Sequence, residues 1–366
     1  MRIRFLNYEM SSVHTAAFLL GAAGLLSRLF GVVRDRLLAA HFGAGRELDI
    51  YYAAFQIPDF VSVIFLLGAG TAAILPVFQE YLGRDRKKAD PLLPRYAKAM
   101  PGERSESEAR QLISQISTLF LLAALACGAL VFIFAPWLSR LAVPGFSAAD
   151  RSLTVTLMRI MLCSPILLGL SSIFSAVLQS FERFISYALA PILYNLGIIA
   201  GIFFFVPRWG VAGLALGVAL GAFLHVSIQY ISLSALEFSP RFMLAPIDAG
   251  MRKIIMLSFP RVLSLSFTQL TVVMLTGLAS LLATGSISIF QFAQNLYFVP
   301  VGIFGVSYSV ALFPRLNAAY LARDGSRFFH EFFRGIRAIL FWTIPSAVLF
   351  LVLRVEIVRV VLGGRA

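Results

Sequence analysis

The sequence predicts an all-α protein that crosses a membrane many times. Of its 366 residues, 59% are apolar and only 13% are charged, and the mean hydropathy is +0.85. A soluble domain of average composition has about 25% charged residues, so these proportions exclude a soluble globular fold. Apolar runs long enough to cross a bilayer also recur along the chain, separated by turn-forming sequences such as FVPRWG and ATGS.

Nine segments satisfy the length that a membrane crossing requires. A transmembrane helix needs about 20 predominantly apolar residues. The one long polar connection between such segments, 83–110, is predicted to be a surface loop. The approximate spans are 14–41, 50–82, 110–136, 152–181, 184–206, 211–236, 254–283, 286–316 and 336–355.

Similar sequences at the ends of different spans indicate an internal repeat. AAILPVFQEYLGRD ends the second span and VALFPRLNAAYLARD ends the eighth, so that Pro76 aligns with Pro314. FAPWLSRLAVPG closes the third span and VLRVEIVRVVLGG closes the ninth, which aligns Arg140 with Arg359. Spans seven to nine therefore repeat spans one to three in the same orientation, an arrangement found in transporters.

The repeat predicts two lobes. Residues 1–237 would form an N-terminal six-helix lobe, and residues 238–366 would form the first three helices of a C-terminal lobe. A complete second lobe would need at least three more helices, so the sequence is expected to be a fragment of a longer protein.

The distribution of basic residues predicts the orientation. With the N-terminus in the cytoplasm, 19 Lys and Arg residues fall on the inner side and seven on the outer side. This asymmetry agrees with the positive-inside rule. Five arginines remain within the predicted spans: Arg28, Arg34, Arg36, Arg159 and Arg261.

The first span carries an unusual set of charges in SRLFGVVRDR, which contains Arg28, Arg34, Asp35 and Arg36. A charge at the bilayer centre costs about 2.5–3.5 kcal/mol on insertion scales. Arg28 and Asp35 are seven residues apart and share a helix face, with Arg34 and Arg36 flanking it. We expect a basic strip that faces an aqueous cavity and binds an anion, for which phosphate suits guanidinium best. Snorkelling arginines and a self-neutralising Arg–Asp pair are the alternative interpretation.

Acidic residues and a proline mark the second span. Asp49 lies at its predicted outer start, and Asp59 follows Pro58 in FQIPDF. Because proline frees a backbone carbonyl, this position is a candidate cavity wall, with Asp59 as a buried acid.

Other chemistry is not indicated. The four histidines have no metal-ligand spacing, Cys127 and Cys163 lie in apolar runs, and the basic 83–110 segment lacks the interleaved aromatics of a nucleic-acid site. We expect no enzyme site, no metal and no nucleic-acid partner.

SRLFGVVRDRLLAAHFGAGRELDIYYAAFQIPDF and LLGAGTAAILPVFQEY resemble the start of the MurJ/MviN lipid II flippases, members of the MOP exporter superfamily. The resemblance covers nearly the whole chain. It implies a MOP/MATE-like fold in the bacterial inner membrane. It also implies alternating access that moves lipid II, the undecaprenyl-pyrophosphate-linked peptidoglycan precursor, to the outer leaflet. No cofactor is implied, only the membrane potential or a coupling cation.

Matched position by position, the resemblance implies substrate binding by Arg28, Arg34, Asp35 and Asp49, the arginines holding the pyrophosphate and Asp35 either orienting Arg34 or helping to reset the cavity. Two positions depart from the family pattern, because Ser62 and Asn295 stand where basic residues are expected. Arg261 is a candidate substitute.

Three alternatives stay open at this point. The chain could belong to a flippase for another polyprenyl-linked oligosaccharide, to a multidrug exporter of the same superfamily, or to a non-transporting membrane scaffold. A multidrug exporter should have an acidic cavity, whereas arginines outnumber acids three to one in the first span.

Overall fold

A computed structural model describes residues 13–64, 71–82, 106–236, 238–247, 249–321 and 324–363. Within these ranges the chain is helical except for short connections, and it contains no β-strand. The predicted all-α class is therefore confirmed.

Eight helices make up the first part of the chain. The seventh helix, Phe184–Ala200, is followed without a break by a π-helical stretch, Gly201–Phe205, and a short α-helical turn, Val206–Trp209. The helices are α1 Val13–Phe42, α2 Arg46–Ser62, α3 Thr71–Tyr81, α4 Glu106–Ala142, α5 Ala148–Met161, α6 Cys163–Ser180, α7 Phe184–Ala200 and α8 Ala212–Ser234.

Five more helices follow the non-helical segment 238–247. A second π-helical stretch, Val301–Val306, joins two of them after Pro300. They are α9 Ala249–Ala279, α10 Ser286–Pro300, α11 Ser307–Leu321, α12 Gly325–Val352 and α13 Arg354–Leu362.

Seven of the described helical segments are long and apolar enough to cross a bilayer, and they correspond to the third to ninth predicted spans. The first predicted span is α1, whose 30 residues extend about 45 Å. The second is described as α2 and α3, on either side of residues 65–70, which lie outside the described residues. The count of nine therefore stays a prediction.

Helix α2 runs through Pro58 and continues to Ser62, and Pro58 lines the cavity described below. The predicted loop 83–110 ends earlier than expected, since α4 already begins at Glu106. Residues 83–105 and the lobe boundary at residue 237 lie outside the described residues.

Glycines bring α7 and α8 into backbone contact. A Cβ added to Gly217 would lie 2.9 Å from the Cα of Gly201, and one added to Gly197 would overlap the backbone of Gly221. Small residues allow such close approach between membrane helices. This packing fixes one wall of the central cavity.

Candidate functional site

A cavity of about 1110 Å³ lies between the N-terminal helices and α9 and α10. Its lining is mostly apolar and aromatic, with several side-chain amides, as is usual for a ligand pocket. Among the described lining residues, Arg34 is the one basic side chain and Asp59 the one acidic side chain. Other polar and aromatic lining residues include Tyr51, Tyr52, Tyr194, Gln269, Gln291 and Gln294.

Arg34 is held at the cavity wall by its neighbours. Its Nη2 and Nε donate to Oδ1 of Asp35 at 2.8 and 3.0 Å, and its Nη1 donates to Oδ1 of Asn195 at 3.2 Å. The Arg34 side chain is 22% exposed and that of Asp35 only 9%. The guanidinium is thus oriented by the carboxylate and still reaches the cavity.

Asp35 also connects α1 to α10. Its second oxygen, Oδ2, accepts a hydrogen bond of 2.9 Å from Nδ2 of Asn295 on α10. Gln291, one turn earlier, donates to Oδ1 of Asn295 at 3.2 Å. Asn295, noted from the sequence only as a missing basic residue, is therefore the partner of Asp35.

Asn195 and Gln291 were missed by the sequence reasoning. Asn195 donates to the backbone and hydroxyl oxygens of Ser27 on α1 and accepts from Arg34. A single asparagine in the apolar stretch ILYNLGIIAG was a usable signal, because polar groups inside a membrane helix usually have a partner on another helix.

The structure separates the other arginines of the predicted strip from this cavity. The Arg28 guanidinium lies against Gly302, where an added Cβ would come within 2.8 Å of its Nη2. Arg36 donates to the carbonyl of Val360 at 3.3 Å, near the end of α13. Neither residue lines the cavity, so only Arg34 of the strip faces it.

The two other arginines within the predicted spans, Arg159 and Arg261, also lie outside the cavity. Arg261 on α9 is exposed and does not line the cavity. Arg159 packs outside it, with its guanidinium 4.5 Å from the ring centroid of Phe132 and its Nε donating to the Phe132 carbonyl.

Asp49 is placed at the start of α10 and not in the cavity. Its Oδ2 accepts from the backbone N–H of Gly285 at 2.6 Å, and its Oδ1 accepts from the N–H and hydroxyl of Ser288 at 2.8 and 2.6 Å. Asp49 is only 2% exposed. A carboxylate at a helix N-terminus satisfies donors that have no partner within the helix, so Asp49 caps α10 from α2.

Further contacts near this cap join the same two groups of helices. The backbone N–H of Gly145 donates to Oγ of Ser280 at 3.1 Å. Gly285, with φ +93°, lies so close to the carbonyl of Ala44 that an added Cβ would overlap it. We call this set of contacts the seal; its members are Ala44, Asp49, Gly145, Ser280, Gly285 and Ser288.

Replacement of Asn295 tests its hydrogen bond to Asp35, which joins α10 to α1. Asn295→Leu leaves Oδ2 of the buried Asp35 without its donor, which costs about 1–3 kcal/mol. We expect a lower melting temperature in detergent. Gln294→Leu is the control, because Gln294 lines the same cavity and forms none of the bonds to Asp35. Equal melting temperatures for the two variants would contradict this role.

In the ranges that the structure describes, there is no group of three or more His, Cys, Asp or Glu residues arranged to hold a metal ion.

The helical bundle, with its cavity between two helix groups, has the fold of the MOP-superfamily proteins to which it is structurally similar. The chain is similar to an inward-facing multidrug resistance MATE transporter of the MOP superfamily, with a TM-score of 0.67, 14% identity, and coverage of 93% of this chain and 73% of that one. The model of the family described as "Lipid II flippase MurJ" matches residues 38–365. The chain belongs to the lipid II flippase MurJ family.

Individual relatives agree with this assignment. A "Lipid II flippase MurJ" structure in an inward closed conformation has a TM-score of 0.73 and 25% identity, covering 95% of this chain and 68% of that chain. The "Probable lipid II flippase MurJ" of Rhizobium tropici is 27% identical over 93% of this chain. That of Buchnera aphidicola subsp. Acyrthosiphon pisum is 30% identical over 92%. The chain spans 62% and 63% of the lengths of these two relatives.

Proposed function

We propose that this chain works as part of a lipid II flippase, which moves the lipid-linked precursor across the bacterial inner membrane by alternating access. The observation that carries the proposal is Arg34, a basic side chain that faces a cavity of about 1110 Å³ and is oriented by Asp35 and Asn195. The family and the names of the relatives support lipid II as the substrate.

The geometry suits recognition of a diphosphate. Guanidinium binds phosphate oxygens in a bidentate manner. Arg34 uses Nε and one Nη2 hydrogen on Asp35, and its Nη1 makes a longer bond to Asn195. The Nη1 edge is therefore the part of the guanidinium that a phosphate would occupy, while Asp35 keeps the side chain in place.

We place the N-terminus in the cytoplasm, on the basis of the distribution of Lys and Arg. In that orientation the seal lies on the outer side, and we infer from its contacts that this conformation is closed toward the outer leaflet. Outward opening would require the bonds of Asp49 to α10 to break. The membrane potential supplies about 2.3 kcal/mol per charge per 100 mV, and a coupled cation is a second source. The mechanism requires no cofactor and no covalent chemistry.

A flippase for another polyprenyl-diphosphate glycan is the second candidate. Ser62 and Asn295, the two neutral residues at expected basic positions, both line the cavity. This observation favours a headgroup less dependent on basic contacts. The relatives' names support lipid II over this candidate, and the likeness to multidrug transporters, at 14% identity, concerns the fold alone.

Substitution of Arg34 tests the function. Hydrogen bonds to charged groups contribute about 1.5–3 kcal/mol, so we expect Arg34→Gln to weaken lipid II binding roughly 10- to 100-fold in native mass spectrometry. The same variant, expressed from the full-length gene, should fail to rescue cells depleted of their own lipid II flippase.

Arg208→Gln is the matched control, because Arg208 is exposed and donates to Phe204 of its own helical segment. It should bind and rescue like the wild type. Wild-type protein that neither binds lipid II nor rescues depleted cells would overturn the proposed function.

A further inference from the structure

Asp59 is a carboxylate in the cavity that the proposed diphosphate contact does not use. Its Oδ2 accepts a hydrogen bond of 2.9 Å from Nε2 of Gln269 on α9. No described residue donates to its Oδ1, and no described basic side chain forms an ion pair with it. A carboxylate at membrane depth is costly and usually marks a site for a ligand or an ion.

Beside Asp59, the described lining of the cavity offers no second basic side chain that could bind another anion. Arg34 is already matched by Asp35, and Ser62 and Asn295 contribute no charge. Asp59 is therefore an acidic group with which no described cation pairs, and its one described side-chain partner is Gln269. Its free oxygen is suited to a positively charged group.

Neighbouring side chains complete such a site. Ser62 lies one turn after Asp59 on α2, and positions three apart share a helix face. Thr268 and Gln269 approach from α9, and all of these residues line the same cavity. Hydroxyl and amide oxygens can accept the remaining hydrogens of an ammonium, which has three donors. Phe55 and Tyr297 add aromatic surface to the lining, which attracts cations.

We propose that Asp59 binds a primary ammonium on the headgroup of the substrate, so that the cavity recognises a zwitterionic ligand: phosphate at Arg34 and amine at Asp59. This inference rests on the proposed function. Asp59 on α2, with Gln269 on α9, would form a second recognition point, separate from the diphosphate contact at Arg34 on α1.

Two ligands that differ only in the amine provide the test. The probes are lipid II with a lysine in its stem peptide and the same compound N-acetylated at the lysine side chain. We expect wild-type protein to bind the free amine at least about tenfold more tightly in native mass spectrometry. Asp59→Asn should remove this discrimination while binding the acetylated lipid as the wild type does.

Other results would overturn the inference. Equal binding of the two lipids by the wild type would exclude amine recognition without affecting the proposed function, and this comparison needs no variant. Discrimination that persists in Asp59→Asn would place the amine site elsewhere. Failure of the wild type to bind either lipid would instead reject the proposed function. Glu356→Gln, an exposed carboxylate on α13, is the control and should discriminate like the wild type.

Discussion

Gly217→Leu is expected to destabilise the folded protein strongly. A Cβ at Gly217 would lie 2.9 Å from the Cα of Gly201 and close to the carbonyls of Ile198 and Gly197. These are backbone atoms, so no side-chain rotation relieves the contact, and α7 and α8 would have to move apart. Overpacking typically costs about 1–3 kcal/mol and occasionally more, and backbone contacts place this variant at the upper end.

The separation of α7 and α8 would also disturb the cavity, since Tyr194, Ile198 and Val218 form part of its wall. We expect a large loss of monodisperse protein in size-exclusion chromatography and a strongly lowered melting temperature. Gly24→Leu is the matched control, because an added Cβ there meets nothing within 4 Å. A Gly217→Leu variant as stable as Gly24→Leu would show that the helices are not packed through these glycines.

Asp49→Ala is expected to open the seal. It removes the acceptor of three hydrogen bonds from the start of α10 and leaves the buried N–H groups of Gly285 and Ser288 without a partner. Each unsatisfied buried donor costs about 1–3 kcal/mol. Because these bonds join α2 to α10, the penalty falls on the closed conformation and favours one in which water reaches α10.

Cysteine labelling measures this opening. Ile287 is 2% exposed beside the cap, so an Ile287→Cys probe, with Cys127 and Cys163 replaced by alanine, should react slowly with a membrane-impermeant maleimide. Asp49→Ala should raise the rate at least about tenfold, which corresponds to about 1.4 kcal/mol.

Asp150→Asn is the control for this experiment. Asp150 pairs with Arg46 at 2.7 Å, within the N-terminal part and near the surface, and such pairs contribute about 0–1 kcal/mol. With Asp150→Asn, the Ile287→Cys probe should react at the same rate as in protein that carries only the probe and the two alanine replacements. Folded Asp49→Ala protein that labels no faster than Asp150→Asn would contradict the assignment of Asp49 to the seal.

The sequence could have indicated the glycine contact. GLALGVALG, from Gly213 to Gly221, repeats glycine every four residues, a pattern typical of close helix packing in membranes. The partner glycines, Gly197 and Gly201, also lie four apart, but the pairing of the two helices required the structure.

The sequence by itself determined the all-helical membrane class and the family, and it predicted the approximate spans and a role for Arg34 and Asp35 in substrate binding. These follow from composition, from the length of apolar runs and from short-range motifs, which are properties of consecutive residues. Hydrophobicity alone decides whether a segment prefers the bilayer.

Only the tertiary structure decided which charges share a site. Arg28, Arg34 and Arg36 are close in sequence but not in their contacts. Arg28 lies against Gly302 in the π-helical stretch after α10, Arg34 faces the cavity, and Arg36 contacts α13. Asp49 joins Ser288, and Asp35 joins Asn295, across more than 230 positions of the chain. A helix pattern fixes the direction of a side chain about its own axis, but not the helix that it meets, because that depends on how all the helices pack together.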